Sequence, residues 1–127
     1  VADLDRLKVD SPSGPRVEVT VSADAATLPQ AVDAAVYRIA QEAVTNARRH
    51  ARNATLVDVR VSGTQSRVNL TISDDGDNAT AGSRPGAGFG LAGMAERAAL
   101  LGGSCQAGPS ASGGWTVVAD LPREVTV

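Results

Sequence analysis

The chain of 127 residues is long enough for one domain and too short for two ordinary ones. Hydrophobic residues make up 43% of it and charged residues 20%, a balance that excludes a disordered chain and a coiled coil. The net charge of −2 and the aromatic content of 2% argue against an anionic membrane or a nucleic acid as partner. Proteins that bind these partners usually have a basic surface, or aromatic side chains on which bases stack.

The beginning of the chain is predicted to lie outside the main domain. Residues 11–15 (SPSGP) are rich in turn-forming residues, so residues 1–15 are interpreted as the tail of an upstream segment followed by a connector. Residues 16–127 are predicted to form the domain itself. Cys105 is the single cysteine, and neither a signal peptide nor a membrane-spanning run is recognised, so we expect a cytoplasmic protein.

Alternation of apolar and polar residues predicts five strands. They are expected, in chain order, at residues 17–21, 56–62, 67–73, near Cys105, and at 115–121. The loop of four residues between the second and third strands is short enough for an antiparallel hairpin.

Apolar residues at steps of three and four predict two helices. The first extends over about residues 29–51 and the second over about residues 91–101, where Gly102 and Gly103 end it. Residues 77–88 contain almost no large apolar side chain and are predicted to be a mobile loop. The expected fold is an α/β two-layer sandwich, with the helices on one face of a mixed, mostly antiparallel sheet.

Three places in this pattern carry candidate chemistry, and the first is on the long helix. Glu42, Asn46 and His50 are each four residues apart, so they follow one helical face beside the apolar stripe. An acid, an amide and an imidazole can supply a proton acceptor, a neutral metal ligand and a donor to an anion. The alternative is a solvated polar face.

The second place is the end of the third strand. Asp74 continues the alternation of Val68, Leu70 and Ile72, so its carboxylate is predicted to face the core. Gly76 follows two residues later and leaves room for a flat ligand to approach the main chain. Adenine presents an exocyclic amine donor where guanine presents an acceptor, so an inward carboxylate could select adenine. The alternative is an aspartate that caps a turn.

The third place is the glycine-rich stretch GAGFGL at residues 86–91, directly before the second helix. Glycines at a helix start expose N–H groups to an anion, and the helix dipole favours phosphate there. The alternative is a flexible loop that binds nothing. The chain has no Gly-Lys-Ser/Thr sequence, and the glycines do not follow a strand, so neither the P-loop nor the dinucleotide-binding fingerprint is present.

The order of these three motifs resembles the ATP-binding catalytic domain of sensor histidine kinases, within the superfamily of gyrase and mismatch-repair ATPases. The resemblance extends from about residue 16 to residue 122 and is strongest to the nitrate-sensor-like subgroup. The matching segments are YRIAQEAVTNARRHA (37–51), ISDDG (72–76), GFGLAGMAER (88–97) and LLGG (100–103).

The resemblance implies an ATP site with Mg²⁺ as cofactor. Asn46 would bind the Mg²⁺ that bridges the phosphates, Asp74 would accept the adenine amine, and Gly76 would close the pocket. Main-chain groups of Gly88, Gly90 and Leu91 would contact the phosphates, with Arg49 and His50 holding phosphate charge. Glu42 would be the catalytic residue that orients or deprotonates the incoming nucleophile.

The resemblance also implies partners. Histidine kinases phosphorylate a histidine on a separate dimerising helical hairpin, and no such acceptor motif occurs in this sequence, so the acceptor domain is expected upstream of Val1. A response regulator is the expected downstream partner. The isolated domain is expected to be monomeric, to bind no nucleic acid and to make no direct membrane contact. Its parent kinase is expected to be cytoplasmic or membrane-anchored.

Two departures from the family pattern leave alternatives open. Asn78 stands where a second glycine is usual, and Trp115 stands where the subgroup often has threonine. One alternative is a serine kinase of the same fold that resembles anti-sigma factors and acts on a small regulatory protein. The other is a degenerate nucleotide-sensing module without transfer activity.

Overall fold

The computed structural model describes residues 1–8, 14–50, 53–76, 87–111 and 113–124, with only the main chain for His50 and residues 87–90. The strands are β1 (Arg16–Val21), β2 (Leu56–Gly63), β3 (Arg67–Asp74), β4 (Ser104–Pro109) and β5 (Trp115–Pro122). The α-helices are α1 (Gln30–His50) and α2 (Ala87–Leu100), and two 3₁₀ helices cover Ala2–Lys8 and Ala23–Ala25. All five predicted strands and both predicted helices are therefore present.

The strands form one sheet in the order β1-β2-β3-β5-β4. β1 pairs with β2 in parallel, and every other neighbouring pair is antiparallel. The predicted hairpin joins β2 to β3, and its turn is closed by a hydrogen bond of 2.9 Å from the N–H of Thr64 to the carbonyl oxygen of Arg67. The mixed, mostly antiparallel sheet is thus confirmed.

Both helices pack on the same face of the sheet, and the hydrophobic core lies between the two layers. Val57, Val59 and Val61 of β2 are buried because alternate residues of a strand face the same side. On α1 the buried residues, among them Val32 and Val36, recur at steps of three and four. A fully buried aliphatic side chain stabilises the fold by roughly 1.5–3 kcal/mol, so this layer is the main source of stability.

The first eight residues belong to the same packed body. Leu4 and Leu7 of the 3₁₀ helix Ala2–Lys8 are buried in the core, and Arg48 Nη2 of α1 donates a hydrogen bond of 2.9 Å to the carbonyl oxygen of Leu7. The turn-rich connector predicted that this segment would lie apart. Its packing could not be recognised in the sequence, because two leucines three residues apart are too few to show a periodicity. That residues 1–15 continue an upstream segment stays a prediction.

α2 begins at Ala87, four residues before the predicted start. Glycine lowers the stability of a helix interior, so Gly88 and Gly90 predicted a loop there. The structure places both in the first turn of α2, outside the helix interior to which that penalty applies. The predicted end is confirmed. Gly102 has φ +85°, and the N–H of Gly103 bonds to the carbonyl oxygen of Ala98 at 2.8 Å, as in a Schellman motif.

The predicted mobile loop at residues 77–88 lies mostly outside the described residues, and so does Asn78. Of the helices that the structure describes, none combines the length and apolar character needed to cross a bilayer.

Candidate functional site

A cleft lies between α1, α2 and the helix-covered face of the sheet, at the end where β3 finishes and β5 begins. Its lining is mostly apolar and includes two polar side chains that can accept hydrogen bonds, Asn46 and Asp74. The described residues that line it are Ala43, Asn46, Ala47, Ile72, Asp74, Leu91, Met94, Ala107, Trp115 and Val117. An apolar cleft with a few convergent polar groups is the usual form of a small-molecule site.

Asp74 is the charged residue among those that line this cleft. Val68, Leu70 and Ile72 of β3 are buried, and Asp74 continues that face with 7% of its surface exposed. It is the one charged or polar residue classed as buried in the described part of the chain. Its Oδ1 accepts a hydrogen bond of 3.0 Å from the N–H of Gly76, which is itself buried. The predicted inward orientation of Asp74 is therefore confirmed.

A buried carboxylate is costly for the fold. Removing such a charge from water costs several kcal/mol unless hydrogen bonds compensate, so an inward aspartate at a cleft is a candidate binding group rather than a packing residue. Its position at the end of β3 allows a ligand donor to reach it from the cleft.

Trp115 forms the neighbouring wall, and sequence reasoning did not assign it to the site. It is paired with Asp74 in the register of β3 and β5, and its half-buried side chain lines the cleft. The alternation of β5 in the sequence could have assigned Trp115 to the site. Trp115 is in phase with the buried Val117 and Ala119, by the same alternation that places Asp74.

Asn46 is the member of the helical triplet that the structure places in the cleft. Ala43 and Ala47 lie about 60° and 100° to one side of Asn46 around the helix axis, and both are buried. Asn46 is half-buried at the edge of that stripe. Its side-chain amide therefore shares the cleft with Asp74 of β3.

Glu42 and Arg49 are exposed and do not line the described part of the cleft. They lie about 40° and 60° to the other side of Asn46, away from the apolar stripe. The expectation that the triplet shares one face therefore holds only loosely, because residues four apart diverge by about 40° per step. The side chain of His50 lies outside the described residues.

The glycine-rich stretch reaches the cleft at the start of α2. Gly88 and Gly90 are in the first turn of α2, for which the main chain is described, and the side chain of Leu91 lines the cleft. The first N–H groups of a helix have no intrahelical acceptor and can bind an anion. Gly86 lies outside the described residues.

Among the described residues, no group of three or more His, Cys, Asp or Glu side chains could hold a metal ion. A single amide oxygen such as that of Asn46 can serve a hard cation only where phosphate and water supply the other ligands.

Comparison with known proteins agrees with this arrangement. Residues 31–125 match the family described as histidine kinase-, DNA gyrase B- and HSP90-like ATPase. The sensor histidine kinase YxjM of Bacillus subtilis is 37% identical over 120 residues, which are 94% of this chain and 29% of that protein. The sensor histidine kinase LnrJ of the same organism is 34% identical over 109 residues, which are 86% of this chain and 26% of that protein.

The fold also matches a solved structure. The blue-light activated histidine kinase of Erythrobacter litoralis EL346 superimposes with a TM-score of 0.71 at 22% identity, covering 96% of this chain and 44% of that one. The chain spans between a quarter and a third of the length of the two Bacillus relatives. The nitrate-sensor-like subgroup stays a prediction. From the family match over residues 31–125, this chain belongs to the histidine kinase-, DNA gyrase B- and HSP90-like ATPases.

Proposed function

We propose that this chain is the ATP-binding catalytic domain of a sensor histidine kinase, and that it transfers the γ-phosphoryl group of ATP to a histidine on a separate dimerisation domain. The observation that carries the proposal is the buried carboxylate of Asp74 in an apolar cleft that it shares with Asn46. Relatives named sensor histidine kinases support the same function.

The purine end of the cleft suits adenine. Ile72, Met94 and Trp115 offer apolar surface to a flat ring, and Asp74 offers an acceptor for the exocyclic amine. Guanine presents a carbonyl oxygen at the corresponding position, which a carboxylate would repel. Gly76, buried beside Asp74, adds no side chain that would obstruct the ring.

The phosphate end lies toward Asn46 and the start of α2. Asn46 would contribute one oxygen to Mg²⁺, which when bound neutralises phosphate charge. Gly88 and Gly90 would direct main-chain N–H groups at the phosphates. Leu91 follows Gly90 at the same end, and its side chain forms part of the apolar wall of the cleft.

The reacting end is assigned to the outer edge of α1. Arg49 and His50 follow Asn46 within about one turn and would hold phosphate charge, while Glu42 would orient or deprotonate the attacking imidazole. The exposure of Glu42 and Arg49 suits this role, because the acceptor histidine must approach from another domain. Phosphoryl transfer depends mainly on such positioning and charge neutralisation.

The partners follow from the reaction. The acceptor is a histidine-bearing dimerisation domain of the parent kinase, and a response regulator is the downstream receiver of the phosphoryl group. We place the domain in the cytoplasm, where ATP is available, as a monomer when it is separated from its parent.

Phosphorylation of the parent's dimerisation domain tests this function. With γ-labelled ATP and Mg²⁺, we expect label that is acid-labile and alkali-stable, as for phosphohistidine. Glu42→Gln is expected to slow the transfer by about 100-fold or more, the usual contribution of a general base. Glu96→Gln, at an exposed glutamate of α2, is the matched control and should leave the rate unchanged.

Two outcomes contradict the proposal. Acid-stable label on a serine would indicate the serine-kinase alternative, and nucleotide binding without any transfer would indicate a sensing module.

A further inference from the structure

The second carboxylate of the Asp74-Asp75-Gly76 turn is outside the cleft and exposed, yet it is heavily hydrogen-bonded. Its Oδ1 accepts from the N–H of Thr55 at 2.7 Å and from the N–H of Leu56 at 3.0 Å. The hydroxyl of Thr55 donates to Oδ2. The Thr55 hydroxyl, followed by the two main-chain donors, lowers the pKa of Asp75. Asp75 is therefore held as a carboxylate by three donors from one short segment.

These bonds join β1, β2 and the turn after β3 at the end of the sheet where Asp74 lies. The N–H of Asp75 donates to the carbonyl oxygen of Leu56 at 3.3 Å. The N–H of Arg16 in β1 donates to the carbonyl oxygen of Thr55 at 2.9 Å. Thr55 ends the connection that leaves α1, the helix that carries Asn46. The Asp75 carboxylate thus ties the segment that follows α1 to the end of β3.

The tie acts at the turn that follows β3, beyond the last residue that is paired with both β2 and β5. Asp74 is the last residue of β3 in register with β2, opposite Val57. The hydrogen bond from the N–H of Gly76 to Asp74 Oδ1 depends on the conformation of the turn that follows β3. Residues 75 and 76 lie beyond the last pairs of β3 with β2 and β5, and the hydrogen bonds of Asp75 restrain them there.

We propose that Asp75 is a positioning residue that holds the Asp74 carboxylate in the orientation that selects adenine. The proposal rests on the proposed function, since it concerns the same purine site. Asp75 touches no nucleotide in this account. It acts through the turn, by fixing residues 75 and 76 against the start of β2.

The test compares ADP and GDP binding by calorimetry at a temperature at which every variant is folded. Wild type is expected to prefer ADP. Asp75→Ala is expected to weaken ADP binding by about tenfold while leaving GDP binding nearly unchanged, so that the ADP/GDP preference falls by the same factor. Thr55→Val, which removes one donor, should shift the preference in the same direction by a smaller factor.

Two further variants separate positioning from stability. Asp75→Asn retains an oxygen that can accept both main-chain N–H groups, and its amide can donate to the Thr55 hydroxyl, so it should restore most of the ADP preference. Asp120→Ala removes a half-buried carboxylate of β5 that pairs with Arg67, and it should leave the preference unchanged. A merely structural role would lower the melting temperature of Asp75→Ala without changing the ADP/GDP ratio.

The outcomes distinguish this inference from the proposed function. If wild type binds ADP and Asp75→Ala keeps the wild-type ADP/GDP ratio, the inference is wrong and the function stands. If wild type binds neither nucleotide, the proposed function is wrong as well. If Asp75→Ala does not fold, Thr55→Val decides, and an unchanged ratio in that variant overturns the inference.

Discussion

Gly114 lies directly against the main chain of Asp74, so closely that a Cβ on residue 114 would be 1.9 Å from the carbonyl oxygen of Asp74. The glycine has φ +79°, a conformation that other residues rarely adopt. It immediately precedes Trp115, which faces Asp74 across the β3–β5 ladder. The start of β5 is therefore packed against the strand end that carries the candidate purine acceptor.

Substitution of Gly114 is expected to displace Asp74. Gly114→Ala combines a steric clash with positive-φ strain, and we expect it to lower the free energy of unfolding by about 3 kcal/mol and to weaken ADP binding. Gly113→Ala is the matched control, because Gly113 has φ +90° but, among the described residues other than its chain neighbours, no atom lies within 4 Å of an added Cβ. It should cost only about 1–2 kcal/mol and leave ADP binding unchanged. Urea denaturation and calorimetry measure both effects, and equal losses in the two variants would contradict the role of the Asp74 contact.

Acid is expected to weaken the tie made by Asp75. Because hydrogen bonds lower its pKa in the folded protein below the usual 3.8, the folded state favours the carboxylate. The resulting stability is present above the unfolded-state pKa and is lost as the pH falls through the lower folded-state pKa. The difference in unfolding free energy between wild type and Asp75→Ala should therefore be constant from pH 7 to 5 and shrink below about pH 4.

Urea denaturation at several pH values measures this difference. Thr55→Val removes the largest contribution to the lowered pKa, so its stability should decline less than that of wild type over the acid range. A wild-type advantage over Asp75→Ala that does not change between pH 5 and pH 3 would contradict the assignment.

The sequence predicted the strands, the helices and the inward orientation of Asp74, because each depends on local periodicity. The tie between Asp75 and Thr55 could not be predicted, since its partners are 20 residues apart and meet only when β2 and β3 pair. The burial of Leu4 depends likewise on packing against β1 and α1. The spacing of Glu42, Asn46 and His50 predicted a position beside the apolar stripe but not which of them line the cleft, because residues four apart diverge by about 40° around the helix.

Trp115 is expected to report nucleotide binding. It is the single tryptophan of the chain and lines the cleft half-buried, so a purine that excludes water from the indole should change its fluorescence. A titration with ADP should saturate at the affinity that calorimetry gives. Trp115→Phe, with no other tryptophan present, supplies the blank. A fluorescence signal that stays constant while calorimetry shows binding would place the purine elsewhere.

Asn46 is expected to make nucleotide binding depend on Mg²⁺. Removal of Mg²⁺ with a chelator should weaken ADP binding by wild type, because the phosphate charge is then not neutralised. Asn46→Ala should bind ADP with nearly the same affinity in the presence and absence of Mg²⁺. Asn69→Ala, at an exposed asparagine of β3, should retain the wild-type dependence. Calorimetric titrations in both buffers decide, and a full Mg²⁺ effect in Asn46→Ala would contradict the metal assignment.

The most direct measurement is the affinity of Asp74→Asn for ADP with Mg²⁺. Because Asp74 Oδ1 accepts the N–H of Gly76, an amide at residue 74 would keep its oxygen there and place an NH₂ group where the adenine amine needs an acceptor. We predict binding about 10- to 100-fold weaker than wild type, the range for a lost hydrogen bond to a charged group. Asp120→Asn should bind as wild type does. Wild-type affinity in Asp74→Asn would contradict the account.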